Sequence, residues 1–203
     1  MAGRTGIFGG AFDPVHYGHI ACVDSFLSSD RIDRLLVIPT YSPPHKPGTL
    51  CTPFRDRLEM LRIAFLNRGD RIVISDLESR LESPSYTVRT IRHLQEESPD
   101  EQFFLCIGED SLEGFTSWYS YQEILQRVEL LVAERPGFDV GSIPPNVMNR
   151  VTFVKHHPVG ISSSAIRKRA IQHYDREIPE PVRDYIRLHG LYQTNEGEGW
   201  KGG

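Results

Sequence analysis

Thr5-Gly6-Ile7-Phe8-Gly9-Gly10-Ala11-Phe12-Asp13-Pro14-Val15-His16-Tyr17-Gly18-His19 is the stretch that decides the fold. Thr5 to Phe8 predicts a first strand, and a helix from about Tyr17 to Leu27 follows it. Between them, adjacent Gly9 and Gly10 allow backbone conformations closed to other residues and a close approach to a ligand. Asp13-Pro14 sets a turn just ahead of the helix. A helix start offers unpaired N–H groups and partial positive charge, which together suit an anion. His16 and His19 stand three apart, on one helical face within the first turn.

Working outward, the same alternation continues. Strands are predicted at Leu35–Ile38, Ile72–Ser75, Phe103–Ile107, Leu130–Ala133 and Val151–Val154. Phe103–Ile107 is uniformly apolar, as suits a strand covered on both faces. Helices are predicted after Thr52-Pro53 (Thr52 as cap, Pro53 as first helical residue), over Thr87–Glu97, near Tyr121–Gln126, and over Ser164–Gln172 and Pro181–Leu188. Strands alternating with helices imply an α/β fold, a doubly wound parallel sheet with a small helical C-terminal extension. Such sheets bind ligands at the carboxyl ends of their strands. A single domain over residues 1–192 and a frayed Gly- and Glu-rich tail over 193–203 complete the expected organisation.

The 203 residues carry 23 Lys plus Arg against 27 Asp plus Glu, a net charge of −4. That balance argues against tight nucleic-acid binding, which needs cations to displace counterions from phosphates. Cys22, Cys51 and Cys106 form no CxxC pair, so no disulfide framework or zinc site is indicated, and Cys22 and Cys106 read as small buried hydrophobes. No secretory signal and no apolar run of roughly 18 residues is seen, so no membrane is expected and the cytosol is the default.

Two histidines at this spacing suit three chemistries. They could bind a metal, for which no third ligand stands nearby; they could cap the helix; or they could donate hydrogen bonds to phosphate oxygens. The loop fits neither the Walker pattern nor GxGxxG, which disfavours P-loop hydrolases and dinucleotide oxidoreductases. Gly9-Gly10-Ala11-Phe12-Asp13-Pro14-Val15-His16-Tyr17-Gly18-His19 resembles the (H/T)xGH nucleotidyltransferase signature in the form carried by nicotinate-nucleotide adenylyltransferases. The resemblance implies a Rossmann-like fold. It also implies that His16 and His19 contact ATP phosphates and stabilise displacement at the α-phosphorus, with Gly9, Gly10, Ala11 and Phe12 forming the loop around the triphosphate. Ala11 stands where the family usually has Thr.

Later loops extend the likeness. Pro43-Pro44-His45-Lys46 resembles a family loop bearing a phosphate-binding basic residue, which implies acceptor contacts by Thr40, His45 and Lys46, with Lys46 also catalytic. Thr40 and Tyr41 depart from the Asn common just before it. Ser85 or Thr87 reads as a helix cap; the Ser85-Tyr86-Thr87 string resembles the segment that lies under the acceptor's pyridine ring and receives its carboxylate. Gly108-Glu109-Asp110 resembles a loop near the adenosine, implying contacts by Gly108 and Asp110, with Glu109 replacing a small residue. Phe115, Trp118 and Tyr119 read as core packing or as a stacking face, and Trp118 matches the residue that stacks on the acceptor ring. The turn holding Arg135 resembles the family's ARPG turn on the acceptor side. Ile161-Ser162-Ser163-Ser164-Ala165-Ile166-Arg167 reads as a capped helix start and resembles the segment that grips the outer phosphates, with Arg167 catalytic.

The implied reaction is adenylyl transfer from ATP to nicotinate mononucleotide, giving deamido-NAD and pyrophosphate, with Mg2+ carried mainly on the ATP phosphates and no metal site of the protein's own. ATP and nicotinate mononucleotide are the expected partners, without nucleic acid or membrane, and a homo-oligomer stays open. Competing expectations are another small nucleotidyltransferase, acting on pantetheine phosphate or nicotinamide mononucleotide, a non-catalytic nucleotide-binding regulator, and a zinc-binding module.

Overall fold

The computed structural model describes residues 3–43, 52–134, 137, 139–168 and 176–192. Six strands form one sheet: β1 (Arg4–Gly10), β2 (Arg34–Pro39), β3 (Ile72–Ile74), β4 (Gln102–Gly108), β5 (Glu129–Glu134) and β6 (Val151–Lys155). Their order is β3-β2-β1-β4-β5-β6, and each neighbouring pair runs parallel. The chain therefore winds outward from β1 in one direction, then returns to its other side at β4. The crevice above the carboxyl ends of β1 and β4 is the switch point where such folds take ligands.

Alternation within each strand builds two cores. In β1, Ile7 points to one face and Phe8 to the other; in β4, Phe103, Leu105 and Ile107 share the first face while Phe104 and Cys106 share the second. Helices α1 (Tyr17–Ser28), α2 (Phe54–Phe65), α7 (Ser163–Arg167) and α8 (Glu180–Leu188) cover the Phe8 face. Helices α3 (Thr87–Glu97), α4 (Glu109–Glu113), α5 (Tyr121–Arg127) and α6 (Pro145–Met148) cover the Ile7 face. Each fully buried Leu, Ile or Phe contributes about 1.5–3 kcal/mol through removal from water.

Several local expectations shift. Pro53 is the residue before α2, and the helix starts at Phe54; Thr52 is not its cap and gives its carbonyl to Arg57 instead. Tyr86 precedes α3, so neither Ser85 nor Thr87 caps it, because the Ser85 hydroxyl accepts from the Ser42 N–H at 3.0 Å. Helices α4 and α6 have no counterpart among the elements expected from the sequence. Cys106 is buried and its thiol pushed up by that burial, whereas Cys22 is half-buried, packed against the Phe8-face core and 3.8 Å from His156. Residues 169–172 of the expected helix from Ser164 to Gln172 and the tail from 193 lie outside the described residues, which hold no helix long and apolar enough to cross a membrane.

Candidate active site

The loop from β1 to α1 is gripped by side chains from three distant segments. Arg57 of α2, only 1% exposed, donates from Nη1 to the Ala11 carbonyl at 2.7 Å and from Nε to the Thr52 carbonyl at 3.1 Å. From α7, Arg167 donates through Nη1 to the Asp13 carbonyl at 2.6 Å, and the Ser163 hydroxyl donates to the Pro14 carbonyl at 2.9 Å. Tyr192, beyond α8, donates its hydroxyl to Oδ1 of the fully buried Asp13 at 2.6 Å. The left-handed residue of the loop is Phe12, at φ 48°, whereas Gly9 and Gly10 have ordinary backbone. Gly10 instead makes room: a Cβ there would stand 3.1 Å from the Phe12 ring, which is buried against Phe8 and His19. Phe12 can thus offer a ligand only its backbone.

His16 occupies the cap position of α1, and its N–H donates to Nδ1 of His19 at 3.3 Å. The two rings stack at 3.7 Å and 22°, with the Phe12 ring closing on His19 at 4.9 Å. Burial lowers the His16 pKa from an ordinary 6.5 to about 4. Burial, then the neighbouring His16, holds His19 well below its ordinary value. Both rings are therefore neutral at pH 7. Because Nδ1 of His19 accepts, its proton sits on Nε2, which is left as a donor. Nδ1 of His16 is buried and has no hydrogen-bond partner among the described residues. Fewer first-turn amides are open than the sequence suggests, since the Tyr17 N–H is taken by the Glu177 carbonyl at 3.0 Å.

Gly18 shows why the spacer before His19 is small. A Cβ at position 18 would stand 2.9 Å from Cε1 and 3.0 Å from Nδ1 of His16. Gly18→Ala should push the His16 ring out of the stack and lower kcat by at least about tenfold, as misplacement of about an ångström does, while the thermal midpoint moves little. Unchanged kcat in the folded variant would show that the stack is dispensable.

The histidines also set a pH dependence. Between pH 6.5 and about 4 the unfolded chain binds a proton at position 16 that the folded chain refuses. The folded state is thus favoured above that window and loses this contribution as pH falls through it. Urea titrations at pH 7, 5.5 and 4.5 should show a falling midpoint, and His16→Gln should reduce the slope.

On the other side of the β1 turn lies a cavity of about 310 Å³. Gly9, Gly10 and Thr40 form part of its wall, and Ser85, Tyr86, Thr87 and Trp118 face them. Of the expected aromatic cluster, Phe115 is core, while Trp118 and the exposed Tyr119 line the cavity. Tyr119 stacks on Tyr86 at 4.3 Å. The 41–43 loop is stitched to α3, because Ser85 N–H donates to the Ser42 carbonyl at 2.8 Å. Glu78, which the sequence did not mark, joins the stitch. Its Oε2 accepts from the Tyr41 N–H at 3.1 Å and its Oε1 from the Thr90 hydroxyl at 3.3 Å. Burial raises the Glu78 pKa, and hydrogen bonds from Ser85, Tyr41 and Thr90 together with the Arg57 charge pull it back.

Of the remaining expected residues, Gly108 ends β4 and the exposed Asp110 sits in the first turn of α4, with Glu109 buried beside it. Ser162 caps α7 by accepting from the Ala165 N–H at 3.1 Å; Ser164 accepts from Nη2 of Arg167 at 3.3 Å, and Ile161 is half-buried. His45, Lys46 and Arg135 lie outside the described residues.

Known proteins are similar to this chain in sequence and in fold. The cytidylyltransferase-like family model matches residues 7–169. A nicotinate-nucleotide adenylyltransferase of Bacillus subtilis is 33% identical over 193 residues, covering 94% of this chain and 99% of its own. A Geobacillus thermodenitrificans protein named "Probable nicotinate-nucleotide adenylyltransferase" is 38% identical over 192 residues, covering 94% and 86%. In structure, a Plasmodium falciparum nicotinic acid mononucleotide adenylyltransferase complexed with NaAD superposes with a TM-score of 0.78 at 24% identity, covering 94% of this chain and 97% of that one. With the fold, the paired histidines and these full-length relatives in agreement, the chain belongs to the cytidylyltransferase-like family and, within it, to the nicotinate-nucleotide adenylyltransferases.

Proposed function

We propose that this enzyme transfers the adenylyl group of ATP to nicotinate mononucleotide, forming deamido-NAD and pyrophosphate. One observation carries the reading: Gly9 and Gly10, which lead into the His16–His19 pair, also wall the cavity lined by Thr40, Ser85, Tyr86, Thr87 and Trp118. A triphosphate over the first loop and a pyridine nucleotide in the cavity would then meet at the end of β1.

In this reading an oxygen of the acceptor's 5′-phosphate attacks the α-phosphorus. The bond from that phosphorus to the oxygen bridging to the β-phosphate breaks, and pyrophosphate leaves with the electron pair. The attacking oxygen is already anionic, so no base or covalent nucleophile is needed. Catalysis rests on positioning and on charge stabilisation. His19 would donate from Nε2–H to a phosphate oxygen, with the His16 ring stacked against it to hold its orientation. Arg167, whose guanidinium already stands at the Asp13 carbonyl, and Lys46 would neutralise the outer phosphates and the acceptor phosphate. Mg2+ would enter with ATP as part of the substrate and balance charge on its phosphates.

The test is pyrophosphate release from Mg–ATP with nicotinate mononucleotide, nicotinamide mononucleotide and pantetheine phosphate in parallel. The nicotinate acceptor should give the highest kcat/KM. Release with pantetheine phosphate alone, or with no acceptor, would overturn the reading.

A further inference from the structure

Nicotinate mononucleotide carries a fixed positive charge on its ring nitrogen, and the wall of the 310 Å³ cavity is built for a flat cation. Trp118 and Tyr119 line it beside Tyr86, and aromatic faces attract cations through the ring quadrupole; the Tyr86 ring is itself stacked by Tyr119 at 4.3 Å and has the Arg89 guanidinium over it at 5.1 Å. Among the described residues lining the cavity there is no Lys, Arg or His, and Glu78 is the one carboxyl. That carboxyl is 8% exposed and fixed at both oxygens, by Tyr41 and by Thr90. We propose that Glu78 is a specificity-determining residue that recognises the positive charge of the acceptor ring, selecting quaternary pyridinium nucleotides over neutral rings of the same shape. The proposal rests on the acceptor reading given above.

The hydrogen bonds alone do not require an acid. A glutamine could accept from the Tyr41 N–H and exchange a hydrogen bond with the Thr90 hydroxyl. What an amide lacks is charge, and charge in a water-poor cavity acts more strongly than in bulk solvent. The acceptor's own carboxylate and phosphate are repelled by the same group. The preference for ring charge must therefore be read between ligands with equal numbers of anions.

Such a pair is nicotinate mononucleotide and its carbon isostere, the 3-carboxyphenyl C-riboside 5′-phosphate, which keeps both anions and has a neutral ring. Calorimetric binding to the full chain should favour the pyridinium ligand by at least about tenfold. In Glu78→Gln the ratio should fall to within about twofold, with the isostere, freed of the repulsion on its two anions, bound more tightly and Kd for ATP unmoved, while Glu78→Asp should retain most of the preference. Equal affinities in the unaltered enzyme would overturn the proposal, as would a ratio that survives Glu78→Gln or equal weakening of both ligands, the mark of a structural role only. If Glu78→Gln does not fold, Glu78→Leu/Thr90→Val, which removes the carboxyl together with the Thr90 hydroxyl and leaves only the Tyr41 N–H to find another acceptor, carries the same comparison. Failure of the unaltered enzyme to adenylylate nicotinate mononucleotide would overturn the acceptor reading and this proposal with it; normal turnover with equal affinities would overturn this proposal alone.

Discussion

His19→Ala is expected to lower kcat by roughly two to three orders of magnitude, the size of one lost transition-state donor. The ring is set in place before any substrate arrives. Its Nδ1 is engaged by the His16 N–H, one face packs on His16 and Phe12 closes on it edgewise. Neither ring is protonated at neutral pH, so the donor on Nε2 costs no ionisation and does not depend on buffer pH between 6 and 8. Alanine removes that donor and frees the His16 amide to solvent, a helix-start loss of about 1 kcal/mol that the fold should tolerate. Pyrophosphate release under saturating substrates measures the effect, with circular dichroism confirming the fold. A loss below tenfold would remove His19 from the chemistry.

The second large effect is on stability. Arg57→Met should cost about 3 kcal/mol, because the buried carbonyl of Thr52 and the part-buried carbonyl of Ala11 lose charged donors while the apolar stem is kept. Urea denaturation would read this as a lower midpoint with an unchanged slope. The same substitution should raise the KM for ATP, since the Ala11 carbonyl lies in the loop that leads to His16. A stability change under about 1 kcal/mol would mean that water replaces the guanidinium at little cost.

Much of this architecture could be read in the sequence because its signals are local. The apolar run Phe103–Ile107 lies within a strand buried on both faces, and the loop from Gly9 to His19 falls at the switch point of the sheet. What stayed hidden depends on contacts made across the chain. Arg57 sits in an amphipathic helix, where an arginine reads as part of a solvated face; only tertiary packing turns it toward Ala11, 46 residues away. Glu78 lies in a short 3-10 turn, Leu77–Arg80, with no motif around it, and its partners come from the loop after β2 and from helix α3. Gly10 is legible as special and does line the cavity, but its backbone is ordinary: beside that close approach the demand is space for the Phe12 ring, not an unusual φ.

The bond from Tyr192 to Asp13 spans 179 positions of sequence. A chain made from its amino end therefore exposes the nucleotide loop early and completes it late, after α8 has emerged and folded back. Until then the turn ahead of His16 lacks a clasp, so full affinity for ATP belongs to the finished molecule and not to the growing one. For the engineer, the corollary is that a cut just before position 192 is an edit to the nucleotide site, although it is made 179 positions away from it.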